Sequence, residues 1–139
     1  MKKELVTVYV VAGVLLKRGN KFLLVQENLG PQRGLWNWPA GRVEEGDTVE
    51  QTAIREAKEE SGFDVKLVKK LRIFHENLSN VVKHLFYAEI IGGNLNFDKD
   101  EIMAAQWFSL DKLIKMNNLR DNWIVEGIQI FNSNLQNEK

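Results

Sequence analysis

The most constraining feature of the sequence is one well-delimited helix in the middle of strand-like segments. Two capping patterns compete at its start, Asp47 with Glu50 and Thr48 with Gln51. Gly62 is a residue type at which helices often end, because glycine readily takes the left-handed conformation of a helix C-terminus. The pattern therefore predicts a helix between these signals, and the rest of the fold must be built around it.

Apolar residues recur every four positions on this helix and predict which side of it is buried. They are Val49, Ala53 and Ala57. Two of the three are alanines, so the helix can lie close to the layer beneath it.

The segments on either side predict a sheet. The Val-rich run 5–16, the turn pair Gly19-Asn20 and "FLLVQE" predict a β-hairpin. After the helix, "FDVKLVKKLRIFHE", "VVKHLFYAEII" and "AAQWFSL" predict strands, and "DKLIKM" predicts a short helical turn. A last helix is indicated by one apolar face, made of Ile124, Ile128, Phe131 and Leu135. The simplest architecture is an α/β fold with a mixed sheet between helices, in a single domain over residues 1–139.

Composition excludes several classes of function. The 139 residues carry 19 Lys plus Arg and 19 Asp plus Glu, so the chain has no basic excess for binding long DNA or RNA. It has no cysteine, which excludes disulfides, thiolate metal sites and cysteine nucleophiles. The run 5–16 is too short to cross a bilayer and is interrupted by Thr7 and Tyr9, so a strand is favoured over a signal peptide. We therefore expect a cytoplasmic protein without membrane association.

Three carboxylates crowd onto the same helix. Glu56, Glu59 and Glu60 are spaced i, i+3 and i+4, where like charges repel. The spacing predicts that all three project from one face, roughly opposite the apolar stripe. A hard divalent cation such as Mg²⁺, Mn²⁺ or Ca²⁺ would turn that repulsion into attraction. The alternative is a solvated charged face on which Arg55 and Lys58 pair with the glutamates.

The segment "GRVEEGDTVEQTAIREAKEESGF", residues 41–63, resembles the Nudix box, G-x5-E-x7-R-E-U-x-E-E-x-G-U, where U is apolar. The matching positions are Gly41, Arg55, Glu56, Glu59, Glu60, Gly62 and Phe63. Asp47 stands where the pattern has Glu. The lead-in at 36–41, "WFSLDKL" and "NNLR" extend the resemblance, which is greatest to bacterial Nudix hydrolases of nucleoside tri- and diphosphates and of a thiamine-precursor pyrimidine pyrophosphate.

This resemblance implies a Nudix-type α/β/α sandwich and Mg²⁺-dependent attack of water on a nucleotide pyrophosphate, with Mn²⁺ as a substitute. It assigns Glu56, Glu59, Glu60 and the Gly41 carbonyl to the metal. Glu56 would otherwise orient or deprotonate water, and Arg55 would hold the glutamates by a bidentate pair. A small nucleotide or another pyrophosphate is the expected substrate, and a homodimer is an open expectation because many relatives dimerise.

Outside the box, the expectations rest on single residues. Glu101 is predicted to be an additional ligand or the base, with a solvated loop charge as the alternative. Asp47 is interpreted as a helix cap. Trp36 and Trp38 could stack on a nucleobase or pack in the core, and Arg33 could contact phosphate or lie free at the surface. The competing function is a catalytically silent module that binds a nucleotide without cleaving it.

Overall fold

The computed structural model of the protein describes residues 4–76 and 79–137. In chain order the strands are β1 (Tyr9–Leu15), β2 (Lys17–Arg18), β3 (Lys21–Glu27), β4 (Trp36–Asn37), β5 (Ala40–Arg42), β6 (Phe63–Phe74), β7 (Val81–Gly93) and β8 (Ile102–Ser109). The helices are α1 (Val49–Ser61), α2 (Leu110–Leu113) and α3 (Trp123–Asn137), and a 3₁₀ turn covers Gly30–Gln32. The strands predicted after the first helix and the short helical turn are thus confirmed as β6, β7, β8 and α2.

The strands form two sheets. The first has the order β5-β1-β7-β6, and it is mixed because β1 runs parallel to β7 and antiparallel to β5. In the second sheet β3 is central and pairs antiparallel with β2, β4 and β8. Helix α1 contacts β1, β5 and β6, so the edge strand β5 lies directly beside it.

The predicted N-terminal hairpin is only partly correct. The first strand begins at Tyr9, and Leu5 and Val6 are 98% and 82% exposed. The turn pair Gly19-Asn20 does connect two antiparallel strands. These are β2, which has only two residues, and β3. β1 itself enters the first sheet between β5 and β7. A Val-rich run predicts a strand but not which strand pairs with it. Here β1 pairs over a longer stretch with β7, which is distant in sequence, than with β5.

Two hydrophobic cores lie on opposite faces of the sheets. The α1-side core includes Ala53 and Ala57 together with Val14 of β1. The α3-side core includes Ile128 of α3 together with Leu15 of β1. Neighbouring residues of β1 enter different cores because side chains alternate across a strand. The predicted α/β/α sandwich, with a mixed sheet between helices, is confirmed.

Helix α3 buries the predicted face over most of its length. Ile124, Ile128 and Phe131 are buried, whereas Leu135 in the last turns is 40% exposed. No helix within residues 4–76 and 79–137 is long and apolar enough to cross a membrane.

Both ends of α1 are set by local side chains. The Thr48 hydroxyl accepts from the Gln51 N–H at 3.0 Å, and the Gln51 side chain accepts from the Thr48 N–H at 2.8 Å. The second of the two predicted capping patterns is therefore the correct one. Gly62 ends the helix with φ +83°, as predicted, and its N–H donates to the carbonyl of Lys58.

Candidate active site

Helix α1 turns two of the three motif glutamates toward β5 rather than toward solvent. The Glu60 Oε1 accepts a hydrogen bond from the Ala40 N–H at 2.9 Å, and Glu56 lies against Gly41. Only Glu59 points away, with a side chain that is 52% exposed. The prediction that all three face away from the apolar stripe is wrong, because Glu60 lies one helical turn beyond Ala57, at the edge of the stripe itself.

Gly41 makes room for Glu56. A Cβ at position 41 would lie 2.2 Å from Cδ of Glu56 and 2.4 Å from its Oε1, closer than any two such atoms can approach. The glycine at the start of the motif is therefore required to seat the Glu56 carboxyl on the β5 backbone. The predicted contact of its carbonyl with a metal is a separate matter and stays a prediction.

Burial changes the protonation of both inward-facing carboxyls. Burial and repulsion from Glu59 raise the pKa of Glu56 to about 7, although Arg55 opposes the shift. Burial also raises the pKa of Glu60 well above its ordinary value, despite the hydrogen bond from Ala40. Repulsion adds to both shifts, so the site is a concentration of negative charge held partly out of water.

Arg55 lies within ion-pair distance of three carboxylates, and its shortest contact is with one of them, Asp47. Its Nη1 donates to Asp47, and this hydrogen bond raises the pKa of the guanidinium. Its distances to the carboxylate oxygens of Glu56 and Glu59 are 3.6 and 3.8 Å, beyond hydrogen-bond range. Arg55 therefore contacts both glutamates as ion pairs, as predicted, but not through a bidentate pair of hydrogen bonds. Within the described residues, the buried Nη2 of Arg55 has no hydrogen-bond partner.

Asp47 is not the helix cap. Thr48 holds that position, and Asp47 instead forms the ion pair with Arg55. Asp47, which stands where the motif has Glu, therefore binds and orients Arg55, the arginine of the motif. Although Asp is one methylene shorter than Glu, its side chain reaches Arg55 from the position before the N-cap.

Glu101 reaches the site from a different part of the chain. It lies in the turn before β8, and the backbone N–H of Asn28 donates to its carbonyl at 2.9 Å. Its charge is among the causes that raise the pKa of both Glu56 and Glu60. The structure therefore brings Glu101 within electrostatic range of the cluster, while its role as ligand or base stays a prediction.

The predicted substrate-binding residues lie elsewhere. Trp38 has no exposed surface and donates from Nε1 to the Trp123 carbonyl, so the prediction that it stacks on a base is wrong. Trp36 is 8% exposed and packs edge-on against Phe108, which places it in the core as well. Arg33 is exposed and donates from Nε to Asn28.

A cavity of about 270 Å³ adjoins the carboxylates at β5. Its wall includes Ala40 and Gly41, and its charged residues include four ion-paired ones that sequence reasoning did not assign to the site. These are Glu27, Lys83, Arg120 and Asp121. They form two ion pairs, Arg120 with Glu27 and Lys83 with Asp121. Since the partners are far apart in sequence, no local pattern signals them.

Within the described residues, no three Asp, Glu or His side chains converge closely enough to form a ready-made metal site. The donors are nevertheless hard oxygens on adjacent turns of one helix, the type that Mg²⁺ and Mn²⁺ prefer. The raised pKa values of Glu56 and Glu60 result first from burial and then from repulsion by neighbouring carboxylates.

A family model for the NUDIX domain matches residues 7–126. The chain is 32% identical over 100 residues to "Putative 8-oxo-dGTP diphosphatase" of Bacillus subtilis, which covers 72% of this chain and 65% of that protein. It is 32% identical over 106 residues to "ADP-ribose pyrophosphatase" of Methanocaldococcus jannaschii, which covers 73% of this chain and 62% of that protein. The chain spans less than two thirds of the length of these curated relatives.

The fold is shared with solved structures. A NUDIX hydrolase from Nitrosomonas europaea superimposes with a TM-score of 0.79, covering 92% of this chain and 90% of that one, at 24% identity. At that identity the likeness concerns the architecture of the sandwich.

Proposed function

Because this chain belongs to the Nudix family, we propose that it is a Mg²⁺-dependent hydrolase of a pyrophosphate linkage in a nucleoside tri- or diphosphate or a related nucleoside diphosphate-linked compound. The observation that carries the proposal is the seating of Glu56 and Glu60 on β5 beside a cavity, with Glu59 on the outer flank. The relatives named for 8-oxo-dGTP and ADP-ribose support a nucleotide substrate.

The residues present fit a hard divalent cation. We assign Mg²⁺, or Mn²⁺ in its place, to the carboxylates of Glu56, Glu59 and Glu60 and to the carbonyl of Gly41. An ion of this kind neutralises phosphate charge and acidifies a bound water when it is present. Its positive charge would also relieve the repulsion that the crowded carboxylates exert on one another.

The protein's own residues would position the reactants. Arg55, anchored by Asp47, keeps a positive charge beside Glu56 and Glu59. Glu56 and Glu101 are the candidates for the group that orients or deprotonates the attacking water, since both lie beside the cluster and neither is bound to a backbone donor through its side chain in the described hydrogen bonds. The cavity beside Gly41 would take the part of the substrate that leaves.

The first experiment measures turnover of a panel with Mg²⁺: nucleoside triphosphates, nucleoside diphosphates, nucleotide sugars and dinucleoside polyphosphates, with products identified by chromatography. We expect one class to be cleaved, and Glu59→Gln to lower kcat by about 100-fold or more because a charged ligand is lost. Glu45→Gln is the matched control, since it neutralises an exposed carboxylate in the loop before α1.

Full metal-dependent turnover by Glu59→Gln would refute the assigned metal set. Tight nucleotide binding by the wild type without turnover, under any divalent metal, would instead identify the chain as a silent binding module. The cytoplasmic location and the homodimer stay predictions.

A further inference from the structure

An arginine outside the motif lines the cavity beside the carboxylate cluster. Nη1 of Arg120 donates to Oε1 and Oε2 of Glu27 at 3.0 and 2.9 Å, and the two side chains are 29% and 22% exposed. A guanidinium carries five N–H donors on three nitrogens. The described hydrogen bonds of this side chain all leave from Nη1, so Glu27 does not use the remaining donors of the fork.

The backbone of Arg120 is fixed although its side chain is half-exposed. Its N–H donates to the Trp36 carbonyl at 2.7 Å, and the Trp36 N–H donates to the Asn118 carbonyl at 2.9 Å. Residues 118–120 are therefore tied to β4. A change of partner at the guanidinium needs only a side-chain rotation.

Arg120 lines the same cavity as the two β5 residues against which the carboxylate cluster is seated. The wall of this cavity includes Arg120, Glu27, Ala40 and Gly41. Ala40 hydrogen-bonds to Glu60, and Gly41 seats Glu56. A pyrophosphate bound beside these carboxylates would therefore bring phosphate oxygens into the cavity that Arg120 lines. The arginine fork matches the geometry of phosphate as well as that of carboxylate, so a phosphate can replace Glu27 as its partner.

Resting on the proposed function, we propose that Arg120 binds a phosphate group of the substrate and that Glu27 competes with that phosphate for it. Glu27 thus lowers the affinity for substrate. Its charge has a second effect in the same direction, because it lies close enough to repel Glu60 and would repel phosphate too. The two effects can be separated, since only the first requires Arg120.

The test compares Glu27→Gln, Arg120→Gln and the double variant with the wild type. KM and kcat are measured on the best substrate, and the Kd of ADP is measured by calorimetry in EDTA. We expect Arg120→Gln to raise KM about tenfold with little change in kcat, because one charge-assisted hydrogen-bond site is lost. We expect Glu27→Gln to lower KM and the Kd of ADP about threefold. The double variant should lie close to Arg120→Gln and keep only the part of this gain that comes from removing the charge of Glu27.

Glu76→Gln is the matched charge control, because Glu76 also lines the cavity but contacts neither member of the pair in the described hydrogen bonds. Its effect should be smaller than that of Glu27→Gln and should persist in the Arg120→Gln background. Arg120→Lys keeps the charge but loses the fork, and it should recover only part of the affinity. Thermal unfolding of each variant checks that the fold is intact.

Two results would overturn the inference: an unchanged KM and Kd in Arg120→Gln, or a gain from Glu27→Gln that is fully retained in the double variant. If the wild type cleaves substrate and either result appears, the inference alone fails. If the wild type cleaves nothing but ADP binding follows the expected pattern, the proposed hydrolysis fails and the role of Arg120 stands.

Discussion

At the scale of single residues, the site depends on carboxyl groups that are held partly out of water. Glu60 accepts from the β5 backbone and Glu56 rests on a glycine, so neither can move freely to solvent. Burial of an acid favours its neutral form, which is why both pKa values are raised. The folded protein therefore binds protons more tightly at these positions than the unfolded chain does.

A pH dependence of stability follows from this difference. The pKa of Glu56 is about 7 in the folded protein against 4.5 for an ordinary glutamate side chain, so the folded state holds the extra proton between these two pH values. The free energy of unfolding should therefore fall as pH rises through that window, by up to about 1.4 kcal/mol per pH unit from this group. Denaturant unfolding in EDTA at several pH values between 5 and 8 measures this change in the free energy of unfolding.

Glu56→Gln is the control for this experiment, because its amide does not titrate. Its stability should fall less steeply with pH than that of the wild type. Equal slopes in the two proteins would show that Glu56 titrates normally. Mg²⁺ should raise the melting temperature more at pH 8 than at pH 5, since protons compete with the metal for the same oxygens.

The sequence predicts that Glu56 and Glu60 belong to the candidate site, but the prediction of the helix face on which they lie is wrong. A helix turns about 100° per residue, so Glu60 lies only about 20° from Ala53 around the axis. Simple geometry thus already placed Glu60 on the buried side. The partners of Arg55 and Arg120 could not be predicted in this way, because Asp47 competes with two glutamates for the first and Glu27 approaches the second only in the folded chain.

At the scale of elements, α1 separates the tasks of two neighbouring residues. Thr48 caps the helix and Asp47 anchors Arg55. The sequence left two capping patterns open, because Asp and Thr are both good N-caps. Similarly, the strand pattern of residues 5–16 was clear, but its pairing with β7 and its later start were decided by contacts distant in sequence.

Substitution of Thr48 should lower stability, whereas substitution of Asp47 should lower activity. Thr48→Ala should lower the free energy of unfolding by about 1 kcal/mol, because the N-cap hydrogen bond is lost, with kcat nearly unchanged. Asp47→Asn should leave stability closer to that of the wild type but lower kcat, because Arg55 loses its charged anchor. Chemical denaturation and steady-state kinetics on both variants measure this. Thr48→Ser, which keeps the hydroxyl, serves as the control, and a loss of stability confined to Asp47→Asn would contradict the assignment.

At the scale of the whole molecule, the thickness of the sandwich is limited by one glycine of α3. A Cβ at Gly127 would lie 2.5 Å from Cδ2 of Leu85, a fully buried residue of β7. The next helical turn N-terminal to it carries Trp123, whose Nε1 donates to Asn37 beside the cavity. The close approach of α3 to β7 therefore also sets the position of the cavity wall.

Gly127→Ala tests this close approach. Alanine gains about 1 kcal/mol of helix propensity, but overpacking a core costs about 1–3 kcal/mol, so the variant should be less stable than the wild type by up to about 2 kcal/mol. Thermal or chemical unfolding measures the difference. In a Leu85→Val background, where space is freed, the same change should become neutral or stabilising. A stabilised Gly127→Ala single variant would show that Leu85 yields without cost.

The parallel pairing of β1 with β7 has a consequence for how the chain is made. Tyr9 lies opposite Val81 in the register, so β1 leaves the ribosome long before its partner has been synthesised. The complete helix with all three motif glutamates emerges in that interval, after β5 but before β7 completes the first sheet. Contacts so distant in sequence fold slowly, and an apolar strand that waits for them is a natural target for chaperones. The nascent chain therefore acquires its charged helix early, whereas Glu101 and Arg120, both proposed to act at the site, emerge only after β7.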